Sequence, residues 1–164
     1  MTITRTIILC SALVVSLGGF TVHGGFAGTI AGDVRLELRG DAKFGTVDGR
    51  GSAPTVFTLS LGADNPDGSI LFTRPSGLRL VPGTYAITGR DDGSDEVQAL
   101  VMTGSAERPT GVFRGRTGSL VITSASDNVI RGTYWVNATG FLASDPAAED
   151  KQIRATGGFT AVRD

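Results

Sequence analysis

The chain has 164 residues, with 15 basic and 16 acidic side chains, a net charge of −1, one histidine and one cysteine. A near-neutral chain without a basic run lacks the electrostatic footprint of a nucleic-acid binder or of a protein held on anionic lipid. Its 24 glycines and six prolines fall largely between short apolar runs, and no long glycine-free segment carries a helical period.

Residues 1–27 read as an export signal. Arg5 supplies the positive start, residues 7–20 the apolar stretch, and Gly25-Phe26-Ala27 places small residues three before and one before a cut after Ala27. The apolar stretch is shorter than the ~20 residues that span a bilayer as a helix. Cys10 follows Ile8-Leu9 inside that stretch. It therefore lacks the small residues that precede a lipid-modified cysteine, and it reads as an apolar filler. Removing 27 of 164 residues leaves a mature chain of 137, the size of one domain. Without Arg5 it has 14 basic against 16 acidic residues, a net charge of −2, and neither Cys10 nor His23. The expected location is outside the cytoplasm: the periplasm, the cell surface or the medium. No membrane span is expected in the mature chain, and a disulfide has no cysteine to form from.

The elements of residues 28–164 are read in chain order. Val34, Leu36 and Leu38 alternate with Arg35, Glu37 and Arg39, the period of a half-buried strand. A weaker strand surrounds Phe44, and Phe57, Leu59 and Leu61 mark the next. Asp64-Asn65-Pro66-Asp67-Gly68 is turn chemistry, and a returning strand covers 69–73. Strands follow at 84–88 and 97–103, the latter apolar on both faces and therefore expected to be central. Residues 111–116 and 119–124 read as two short strands, or as one bent at Gly118. The clearest alternation is last: 130–139, and then 153–161. The spacing predicts an all-β, single-domain antiparallel sandwich of about 8–10 strands.

Three segments carry a resemblance: Gly118-Ser-Leu-Val-Ile-Thr-Ser124, Ile130-Arg-Gly-Thr-Tyr134 and Gly157-Gly-Phe159. Together they resemble the C-terminal part of uncharacterised secreted bacterial β-sandwich proteins. The resemblance implies a sandwich fold and no catalytic motif.

The mature chain is poor in the groups most enzymes use. Zinc sites draw on cysteine and histidine, and activated serine nucleophiles need a base beside them. No nucleophile elbow, Walker loop or dinucleotide fingerprint occurs. Arg39-Gly40-Asp41 spells an integrin-binding tripeptide but reads equally as turn chemistry, and the Asn137-Ala138-Thr139 sequon falls inside a strand. Two acidic loops offer oxygen ligands for calcium, the one cofactor considered. They are Asp64 with Asp67, and Asp91, Asp92, Asp95 and Glu96. Neither has the twelve-residue helix–loop–helix spacing.

Trp135 is the principal binding candidate. By alternation it points away from Tyr134 and Val136, among Arg131, Thr133, Asn137 and Thr139. An aromatic ring among hydrogen-bonding groups on an outer sheet face suits a sugar or an apolar ligand. The sequence thus points to an exported, non-catalytic module that binds carbohydrate or another envelope component, or that serves a structural role. The alternatives are a glycoside hydrolase or lyase using carboxylates alone, and a pure protein-interaction domain. The oligomeric state is left open.

Overall fold

The computed structural model describes residues 22–49, 54–89, 96–145 and 150–164. Ten strands occur among them: β1 (Gly25–Gly32), β2 (Leu36–Gly40), β3 (Ala42–Val47), β4 (Val56–Leu61), β5 (Gly68–Arg74), β6 (Gly83–Thr88), β7 (Gln98–Ser105), β8 (Arg108–Ala125), β9 (Val129–Leu142) and β10 (Lys151–Arg163). The described residues contain no helix. The fold is all-β, and nearly every pairing is antiparallel.

All ten strands are hydrogen-bonded into one sheet, and its path returns on itself. From β10 the ladder runs through β9, β8, β7, β5, β4 and β3. It closes where Val162 and Arg163 pair in parallel with Lys43 and Phe44 of β3. The opposite walls face each other across an apolar core, as the layers of a sandwich do. Phe72 and Tyr134 meet there with ring centroids 5.5 Å apart, and Leu59, Val101, Phe113 and Leu120 are fully buried.

The long strands β8 and β10 each serve two neighbours along one edge. β7 pairs with residues 108–114 of β8, and β6 with residues 117–122. Likewise β1 lies along residues 153–160 of β10, beyond which β3 takes the edge. The expected bend at Gly118 is instead a register shift between Gly115 and Thr117, with Arg116 as the extra residue in an otherwise continuous strand. A second shift lies between Ile122 and Ser124. Strand β7 is less enclosed than its two apolar faces suggest: Val97, Ala99 and Val101 are buried, whereas Leu100 and Met102 are only half-covered on the outside.

Strand β1 was not legible as a strand in the sequence. Its first three residues coincide with the small-residue signature of an export cut. In the structure the boundary after Ala27 falls inside β1. Phe26 is 6% exposed and belongs to the core, and it pairs with Phe159 on one side and Gly40 on the other. The segment leading into it, with an exposed His23, runs near Ser126–Val129 and Val162, at the far end of β10 from Lys151.

Tyr134 shows how glycine placement shapes this core. Its cross-strand neighbour is Gly157, whose other neighbour is Gly28. A Cβ at Gly157 would sit 2.6 Å from the Tyr134 hydroxyl oxygen, and one at Gly28 would also collide with it. The ring therefore lies across two side-chain-free positions. Its hydroxyl is buried there without a hydrogen-bond partner among the described residues. Burial raises the hydroxyl pKa above its ordinary value of 10.0.

Two predictions follow from these contacts. A chain beginning at Gly28 lacks three of the eight pairs that β1 makes with β10, and the Phe26 ring with them. It should be less stable than one beginning at Gly24 by about 2–4 kcal/mol, as read from urea unfolding. Tyr134→Phe should leave stability at pH 7 unchanged or raise it, because the hydroxyl it removes is buried and unpaired. The wild-type protein should lose stability as pH rises above 10.0, where the unfolded tyrosine ionises and the buried one does not. That alkaline loss should shrink in Tyr134→Phe, measured by denaturant unfolding between pH 8 and 11.

Candidate functional site

Strands β2, β1, β10, β9, β8 and β6 present a broad outward face. Strict alternation in β9 builds its centre. Ile130, Gly132, Tyr134, Val136 and Ala138 are buried, while Arg131, Thr133, Trp135 and Asn137 are exposed. One cross-strand row runs Glu37, Thr29, Thr156, Trp135, Ser119 and Ala86. The next runs Ala31, Arg154, Asn137, Thr117 and Thr88. Five of these eleven side chains are short hydroxyls, and Trp135 is the one aromatic ring among them.

Trp135 is 37% exposed. The Arg154 guanidinium carbon lies 5.3 Å from the centroid of its ring, a cation–π contact. Asn137 donates from Nδ2 to Thr117 Oγ1 at 3.3 Å, and the Thr29 and Thr156 hydroxyl oxygens are 3.2 Å apart. These bonds hold the side chains around the ring in place without enclosing it.

Beside the tryptophan is a depression of about 570 Å³, lined by Arg116, Asn137, Thr139, Gln152 and Arg154 together with residues 31–32, 138 and 153. Arg116 is the extra residue of the β8 bulge, a common device for re-aiming a side chain. Its Nε donates to Thr139 Oγ1 at 2.7 Å. Asp33, next in sequence to the lining Gly32, accepts the backbone N–H of Gln152 through Oδ2 at 2.6 Å. Arg116, Gln152 and Arg154 were missing from the sequence-based candidates. They sit on strands whose register against β9 cannot be read from the chain, and Arg116 follows no alternation because the bulge interrupts it.

The structure places Arg131, Thr133, Trp135 and Asn137 on one face but does not gather them in one cavity. Asn137 lines the depression and Trp135 stands at its side. Thr133 and Arg131 lie further along β9, opposite Gly158 and Thr160. Of the acidic loop, Asp91, Asp92 and Asp95 lie outside the described residues. Glu96 accepts a hydrogen bond from Thr88 Oγ1 at 2.5 Å. Among the described residues no three histidine, cysteine or acidic side chains are grouped so as to hold a metal. Asp64 and Asp67 line a separate hollow with Arg39-Gly40-Asp41, where Asn65 Nδ2 donates to the Arg39 carbonyl at 2.5 Å. Arg39 and Gly40 there end β2, and the Asp41 carbonyl accepts the Gly62 N–H at 2.7 Å.

Elsewhere on the outer surface, Phe141 is 50% exposed. It pairs with Val112, which in turn pairs with Met102. This makes a small apolar stripe, distant in register from Trp135.

No family model matches the chain, and no curated protein or solved structure is significantly similar to it.

One measurement tests the geometry around the ring. Arg154→Ala should shift Trp135 emission to longer wavelength as water replaces the guanidinium. It should cost no more than about 1 kcal/mol of stability, the scale of an exposed cation–π contact.

Proposed function

We propose that this protein is an exported, non-catalytic β-sandwich module that binds carbohydrate of a cell envelope or extracellular matrix on the face around Trp135. The observation that carries this reading is the partly exposed tryptophan on an outward sheet face beside the hydroxyl groups of Thr156 and Ser119. A pyranose ring has apolar C–H faces and a polar rim. An indole supplies the apolar contact, and the amide and hydroxyl groups of Asn137, Thr139 and Gln152 are within the adjoining depression to meet the rim. Strands rather than loops carry these side chains, so binding involves little ordering of the protein. Among the described residues the depression is lined by no pair of facing carboxylates of the kind glycoside cleavage uses, which favours binding over hydrolysis.

A second reading, a protein-interaction domain, draws on the Phe141 stripe. The two readings use different surfaces, so one variant of each separates them.

Because Trp135 is the only tryptophan, its fluorescence reports the proposed site alone. Titration with soluble fragments of plant, fungal and bacterial wall polysaccharides should give a saturable change with at least one of them. Trp135→Ala should weaken that binding about tenfold or more, measured by calorimetry. Phe141→Ser should leave it untouched. A flat fluorescence response to every polysaccharide would reject this site.

A further inference from the structure

The depression beside Trp135 has a chemical bias that a general sugar platform does not need. Arg116 and Arg154 contribute to its lining, whereas among the described residues no acidic side chain does. The nearby carboxylate of Asp33 is engaged by the Gln152 backbone N–H. We infer that this depression is a subsite for the carboxylate of an acidic sugar, a uronate residue in the bound glycan, received by Arg154 with Arg116 across Asn137. This rests on the carbohydrate reading above and gives it a substrate class.

The geometry of Arg154 carries the argument. A guanidinium held at an aromatic ring by cation–π attraction still carries five N–H donors in a planar fork. That fork is the part that grips a planar carboxylate through two parallel hydrogen bonds. The 5.3 Å contact with Trp135 holds the Arg154 charge at the ring while the indole remains partly exposed for a sugar ring. Arg154 is exposed and forms no ion pair among the described residues, so its charge has no protein carboxylate paired to it there. Arg116 is fixed from the other side: its Nε is bonded to Thr139, which leaves the terminal nitrogens to complete the anion's coordination. Asn137 lies between them, directly opposite Arg154 in the β9–β10 ladder. A chain crossing these strands would stack one sugar on Trp135 and set a neighbouring carboxylate over Asn137.

The test compares oligosaccharides of equal length on the intact protein. Trp135 fluorescence and calorimetry would follow binding of oligogalacturonate, its methyl-esterified form, a neutral β-glucan oligomer and dextran sulfate. Oligogalacturonate should bind at least about tenfold more tightly than its methyl ester. Arg154→Gln and Arg116→Gln should each bring the affinities for oligogalacturonate and its methyl ester to within about twofold of one another. Both side chains are exposed, so neither variant endangers the core. Equal affinity for acid and ester, or a preference that survives both substitutions, would overturn the uronate subsite while leaving the sugar platform standing. Dextran sulfate binding as tightly as the uronate, and insensitive to Trp135→Ala, would reduce the site to simple charge attraction and also overturn it. Absence of binding by all four would overturn both readings.

Discussion

The pairing of β10 on both edges is the constraint on which the rest of the molecule depends. One edge is bonded to β9 through twelve residue pairs, from Lys151–Gly140 to Val162–Val129. The other is divided between β1 and, at its end, β3. The junction is secured by the Asp164 N–H donating to the Phe44 carbonyl at 3.0 Å, and by the Arg163 N–H donating to the Asn128 carbonyl at 3.1 Å. Because β10 pairs with β1 and β3 as well as with β9, the core cannot close before β10 is in place. Its contacts are long-range in sequence, which is the expectation for a slowly nucleating β fold.

The same arrangement explains why the outward face around Trp135 is so regular. β10, β9 and β8 form an antiparallel stack with β1 and β6 added on its two sides. Each row of side chains across it is fixed by backbone hydrogen bonds rather than by loop conformation. The ladder between β8 and β9 departs from this regularity at two register shifts, and the one at Arg116 occurs at the depression. The extra residue there places a long charged side chain against Thr139.

Core and surface are coupled through β9. Tyr134 and Val136 point inward on either side of Trp135. The inward ring of Tyr134 is accommodated only because Gly157 and Gly28 carry no side chains. Those glycines let the sheet lie close against the tyrosine ring, which fixes the height of the backbone from which Trp135 projects on the opposite face. The outward face is in this sense set by inward packing.

Much of this was written in the alternation of the chain. The strands at β2, β4, β9 and β10 follow from a period of two, because a half-buried strand must send every other side chain inward. The outward direction of Trp135 needs no more than that. Strand β1 was obscured because small residues before a cleavage site and small residues in a tightly packed strand have the same composition. The bulge at Arg116 and the continuity of β8 depend on register, and nothing in the local sequence distinguishes a strand break from a one-residue insertion in the ladder. The sequence by itself determined which residues face in and which face out, since that is a property of neighbouring residues along one strand. Only the tertiary structure decided that Arg154 stands over Trp135 and that Arg116 shares a hollow with Asn137. Those neighbours come from three different strands, and hydrogen-bond register between distant segments alone brings them together.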